Sequence, residues 1–140
     1  MDLMALGQRL QEFFQKSGIK HDLLGKIDEH GAAFFFDLTR PLTCGFLSCE
    51  DNAEDLRFST VSLAISVGET ATRSNEDLLA LFALNGNFFD ASLTVSHMPS
   101  GVMHLFVARK FKASDYRIAD FAHHVSDLLR QYDLFTAKSS

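Results

Sequence analysis

Three consecutive phenylalanines, Phe34, Phe35 and Phe36, lie within the stretch HGAAFFFDLTRPL from His30 to Leu42. Side chains alternate between the two faces of a strand, so Phe34 and Phe36 point one way and Phe35 the other. A small antiparallel sheet usually buries one face and wets the other. A chain that places large apolar side chains on both faces of one strand needs a cover for each. That requirement limits the architecture more than any other feature of the sequence.

The elements follow from periodicity. Leu3, Leu6, Leu10 and Phe13 recur at spacings of three and four, with Phe14 widening the stripe, which predicts a first helix capped by Asp2 and stopped at Gly18. The stretch HDLLGKIDEHG reads as a polar linker around Leu23, Leu24 and Ile27. Strands are predicted over Ala32–Leu38, Leu42–Cys49 and Leu56–Ile65, with a turn at Pro41 and an acidic loop EDNAED between the second and third. The third strand changes phase near Thr60, which predicts either a bulge or a switch of burial there.

Ser74 is a good N-cap for a short, unusually apolar helix carrying Leu78, Leu79, Leu81 and Phe82, ended by Asn85–Asn87. A hairpin of Ala91–His97 and Val102–Lys112 follows, then a last helix from a Ser114 cap with Ile118, Phe121, Ala122, Val125, Leu128, Leu129 and Tyr132 in helical rhythm. The order α-β-β-β-α-β-β-α over 1–140 reads as a single α+β domain. It predicts a five-stranded, twisted antiparallel sheet with the two long helices on one face. The short helix and the second sheet face are left to be covered by something else.

Composition removes several classes of function. The chain of 140 residues has 14 Phe, 2 Tyr and no Trp, so its aromatic surface fills space with few polar handles. Its formal net charge is -5 and its Lys and Arg are scattered, which speaks against nucleic-acid binding and a polybasic membrane anchor. The N-terminus lacks the features of a signal peptide, and no apolar run is long enough to insert in a bilayer. Cys44 and Cys49 have an odd separation within one predicted strand, so they face opposite ways and read as reduced thiols.

A search for chemistry returns little. His97 and His104 would face each other if the hairpin turned at Ser100–Gly101, yet two ligands without a carboxylate do not make a metal site. His123 and His124 are neighbours on a helix and cannot share an ion as an i, i+4 pair does. Asp28 and His30 suggest a hydrogen bond bracing a turn more than a catalytic diad, because no nucleophile motif accompanies them. Glu50–Asp51 and Glu54–Asp55 lack the ligand spacing of a calcium loop. No Gly-rich phosphate loop is present. The expectation is a non-enzyme with no catalytic residues, no metal and no cofactor.

The segment LLGKIDEHGAAFFFDLTRPLTCGFLSCED resembles the class I chaperones of type III secretion systems, and within them the class IB subgroup that serves several effectors. The shared features are a turn with Gly25, Ile27, Asp28 and His30, then Asp37–Leu38 and Pro41, with Gly31 where that subgroup usually has Ser. The closing FAHHVSDLLRQYDLF resembles that family's last helix, and the element order runs in parallel along the chain.

The resemblance implies a bacterial cytoplasmic homodimer without enzymatic activity. It would bind the extended N-terminal segment of effector proteins and keep them competent for secretion. It places the client on Leu6, Leu10 and Phe14 of the first helix and on Phe35 and Phe46 of the sheet. Leu78, Leu81 and Phe82 of the short apolar helix are expected at the dimer interface. Phe35 reads as client-facing, with a dimer contact or a core position as the alternatives. The same element order also occurs in sensory-regulator-like interaction domains, which have no secretion clients, and fold alone does not choose between the two.

Overall fold

The computed structural model describes residues 2–38, 43–51, 58–87, 90–98 and 100–139. The elements are α1 (Leu3–Lys16), β1 (His21–Asp28), β2 (Gly31–Asp37), β3 (Cys44–Asp51), β4 (Ser59–Glu69), α2 (Asn75–Ala83), β5 (Ser92–His97), β6 (Met103–Lys112) and α3 (Phe121–Ser139). The strands form one antiparallel sheet of six, in the order β1-β2-β3-β4-β6-β5. The α+β class holds, and α1 and α3 share one face of the sheet, where Phe13, Phe14 and Phe36 all touch Phe121.

The sheet has one strand more than the sequence predicts. The linker HDLLGKID is β1, an edge strand paired to β2. Its register shifts between Leu24 and Asp28, with Gly25 at φ 71° inside the irregularity. The shift breaks the alternation that a strand reading depends on and returns Ile27 to the helix side against α1. Pro41, Leu42, Asn52–Asp55 and Leu56 lie outside the described residues, while Glu50 and Asp51, expected in the acidic loop, close β3.

Of the two alternatives near Thr60 the bulge is absent: β4 runs in register with β3 from Ser59 to Ile65, with full burial beginning at Val61. The bulge lies further on, between Ser66 and Gly68 opposite β6. The last helix begins later than Ser114, because two short 3-10 turns, Ala113–Asp115 and Ile118–Asp120, carry the chain across the end of the sheet first.

The caps behave as their residue types require. The Asp2 carboxylate accepts from the Ala5 N–H at 3.0 Å, and the Ser74 hydroxyl accepts from the Asp77 N–H at 3.1 Å. The core between helices and sheet joins Leu3, Leu6, Leu10 and Phe14 of α1 to Phe34, Phe36, Leu47, Leu63, Ile65, Val107, Leu128 and Phe135. Phe34 and Phe36 are therefore covered. Full burial of side chains this large is worth about 1.5–3 kcal/mol each, which fixes the face that α1 presents.

The two sheet edges differ. β1 carries Asp22, Lys26 and its bulge, the usual protections of an exposed edge. β5, with the sequence SLTVSH, carries no Lys, Arg, Asp, Glu or Pro. Among the described residues its guard is Asn85, whose side-chain oxygen accepts from the Leu93 N–H. That bond shows that Leu93 points its N–H away from β6, so by alternation Val95 and His97 do too.

Candidate functional site: the uncovered face of the sheet

The strand registers define the face opposite the helices. One row across five strands is Phe35, Phe46, Ala64, Ala108 and Ser92, each directly beside the next. The adjacent row is Ala33, Ser48, Ser62 and Lys110. Neighbouring strands are about 4.8 Å apart, so the first row spans roughly 19 Å. Its floor is Ala and Ser, small enough for another main chain to approach closely. At one end the Phe35 and Phe46 rings meet edge to face, centroids 5.3 Å apart.

The sheet curls over this face. The bulge at Ser66–Gly68 bends β4 against β6, and Met98 at the tip of the β5–β6 hairpin reaches the Phe35 end. The result is a concavity of about 770 Å³ lined by both rows together with Phe106, Thr94, Met98 and Asp90. Phe106 and Ala64 are buried at 5% and 7% exposure yet stand outside the helix-side core. The concave face thus has an apolar interior of its own.

The expected client residues divide between the two faces. Phe35 and Phe46 are half-buried and adjacent on the uncovered face, both lining the concavity. Leu6, Leu10 and Phe14 are corrected: they are 2%, 0% and 0% exposed and form the helix-side core. The Phe14 ring packs on Phe34, Phe36, Phe121 and His21, so it is spent on the core and offers no wall to a client side chain. The stripe at spacings of three and four that suggested a binding helix is the stripe that holds the helix to the sheet.

The residues expected at a dimer contact are corrected in part. Leu81 is buried at 6%, and Leu78 and Phe82 are half-buried against the core. Leu79, which was not among the residues expected at the contact, is 72% exposed on α2. About 200° separates residues two apart on a helix, so burying Leu81 turns Leu79 outward.

The histidines do not assemble a catalytic or metal centre. His97 pairs with Met103, and His104 pairs with Ser96. The register differs by one residue from the one expected, which sends the two rings to opposite faces. His104 instead meets the Ser66 hydroxyl at 2.9 Å. His30 does brace its turn: its N–H donates to the Asp28 carboxylate at 2.8 Å, and its ring Nδ1 lies 3.0 Å from an Asp51 carboxylate oxygen. The Asp51 hydrogen bond, with Glu29 nearby, raises the His30 pKa.

On α3, His124 packs against Phe111 and Tyr116, and burial together with Arg109 lowers its pKa. Cys44 and Cys49 are free thiols, both pushed up mainly by burial. Among the described residues no group of three or more His, Cys, Asp or Glu is placed to hold a metal ion. No helix of the described residues is long and apolar enough to cross a membrane.

Comparison of the chain with protein-family models, curated proteins and solved structures gives no match.

Proposed function

We propose that this chain is a type III secretion chaperone. It binds the extended N-terminal segment of effector proteins on the uncovered face of its sheet, in the bacterial cytoplasm, as a homodimer and without catalysis. The observation that carries the reading is the concave face on which Phe35 and Phe46 close one end of an Ala- and Ser-floored trough. The resemblance around Asp28 and His30 supports it from the sequence side.

The physical case rests on what such a surface can hold. Phe rings accept varied aliphatic side chains without requiring a hydrogen-bond partner, which suits more than one client. Small floor residues let a peptide main chain sit close to the sheet. A segment that is unfolded when free loses conformational entropy on docking, so it needs a long apolar surface to offset that cost.

The test is co-purification of the chain with N-terminal effector segments, comparing wild type with Phe46→Asp. Phe46 is half-buried on the open face, so the variant is expected to keep its circular dichroism and lose the segment. A folded Phe46→Asp that binds as well as wild type removes the site from this face. Failure of every effector segment to bind folded wild type favours the sensory-regulator-like interaction domain instead.

A further inference from the structure

The hairpin that carries the β5 edge has an uncommon charge pattern for this chain. From Ala91 to Ala108 the sequence holds no Lys, Arg, Asp or Glu, although the chain as a whole has a net charge of -5. Every residue of β5 except Leu93 is exposed. Val95, Val102 and Met103 of the same hairpin are large apolar side chains left in contact with solvent.

The main chain of β5 offers a ladder of two residues. Ser92, Thr94 and Ser96 turn toward β6, opposite Ala108, Phe106 and His104. Leu93, Val95 and His97 turn outward by alternation. The Leu93 N–H is held by Asn85, and residue 99, the next in that series, is a proline with no N–H to give. Val95 and His97 remain, and among the described residues no acceptor meets either N–H.

We infer that this edge pairs with the same edge of a second copy of the chain, antiparallel, with the two-fold axis passing through Ser96. The inference rests on the reading of the chain as a homodimer and assigns the surface and the register. An axis at Thr94 or Val95 needs the Leu93 N–H that Asn85 holds, and an axis at His97 needs an N–H from Pro99. Ser96 on the axis sets Val95 against His97 of the second copy, and the reverse, so four main-chain bonds use every free group. The axis is perpendicular to the sheet, so the two concave faces lie on one side and their small-residue floors meet at Ser96.

Two observations favour a second copy over a client segment at this edge. Identical acidic chains repel one another, and a charge-free hairpin is where they approach at least cost, whereas it has no charge with which to recruit a client. The ladder is also short. An unfolded segment loses backbone entropy at each residue it places there, while a folded copy brings its strand already ordered.

The experiment oxidises Ser96→Cys and Thr94→Cys under identical mild conditions, with wild type as the control for Cys44 and Cys49. Both new thiols are on exposed positions. A directly opposed, non-hydrogen-bonded pair brings Cα atoms to about 4.5 Å, within disulfide reach, so Ser96→Cys should run at twice the single-chain mass. Thr94 lies two residues from the axis, which sets its two copies about 14 Å apart, so Thr94→Cys should not link. Val95→Pro removes two of the four bonds and leaves those to β6 intact. It should keep its circular dichroism and weaken self-association about thirtyfold by analytical ultracentrifugation.

A wild-type dimer in which Ser96→Cys fails to link, or Thr94→Cys links as readily, overturns the edge pairing and leaves a dimer through another surface. Unchanged self-association of folded Val95→Pro does the same. Wild type that sediments as a single chain at micromolar concentration overturns the pairing and the homodimer together. If that single chain binds an effector segment and folded Val95→Pro does not, the edge belongs to the client.

Discussion

The ring of Phe36 lies directly over Gly45, its cross-strand partner, in the space a side chain at position 45 would fill. The glycine gives a buried aromatic a flat backbone to rest on, and the same ring then packs edge to face on Phe121 of α3. Gly45→Val should force the ring aside and cost about 1–3 kcal/mol. Denaturant unfolding checks this, and the double variant with Phe36→Leu should recover part of the loss if the two positions are coupled as described.

The two perturbed histidines predict opposite pH dependences. The folded state raises the His30 pKa through Asp51, so this pair adds stability below the unfolded value near 6.5. That stability is lost as pH rises through the higher folded value. The melting-temperature gap between wild type and His30→Ala should be wider at pH 6 than at pH 8.5. His124 is held neutral by burial and by Arg109, so its contribution is present above the unfolded value and lost as pH falls through the lower folded one. Ring-proton NMR titration should place His30 above and His124 below an unperturbed histidine.

If the chain pairs through α2, Leu79 and Leu81 will respond differently. Leu79→Asp alters a side chain that is 72% exposed, so folding should survive. Light scattering should then fall from twice 15.6 kDa to that single mass. Leu81→Asp buries an unpaired carboxylate and should unfold the protein or lower its melting temperature sharply. Wild type that scatters as a single chain at micromolar concentration removes the dimer.

His97 and His104 should retain no stoichiometric zinc after dialysis, because their rings leave the hairpin on opposite faces. His97→Ala should change stability by less than about 0.5 kcal/mol, as expected for an exposed side chain. His104→Ala removes the contact to Ser66 and should cost about 0.5–1.5 kcal/mol.

Much of the architecture was legible because the decisive signals are local. The caps at Asp2 and Ser74, the stripe from Leu3 to Phe14 and the alternation through Phe34–Phe36 each act within a few residues. β1 was not legible, since a bulge at Gly25 breaks the alternation and its partners lie on another strand. The site was half legible. Phe35 stood out because Phe34–Phe36 load both faces of one strand, whereas Phe46 entered only through the family resemblance. Leu6, Leu10 and Phe14, on the other side of the sheet, carried an equally apolar signal, and periodicity does not say whether an apolar stripe meets a sheet or a ligand. The same ambiguity hid Leu79 behind Leu81.

Gly31, which stands where the resembled subgroup has Ser, also has a structural cause. Its φ of 126° belongs to the region that favours glycine, and a Cβ there would run into the Cys49 carbonyl.

The unequal edges of the sheet set a limit on stoichiometry. A molecule with two sticky edges is a monomer for a fibre, since each addition regenerates the end it consumed. Among the described strands only β5 leaves such an edge, and its outward groups at Val95 and His97 make a short ladder. When two such edges meet they consume each other, and both ends then exposed are β1, each bearing a bulge, Asp22 and Lys26. Growth by strand addition through β5 would therefore terminate after one step, so an edge guarded at Leu93 alone leads to a closed pair and not to an open-ended polymer.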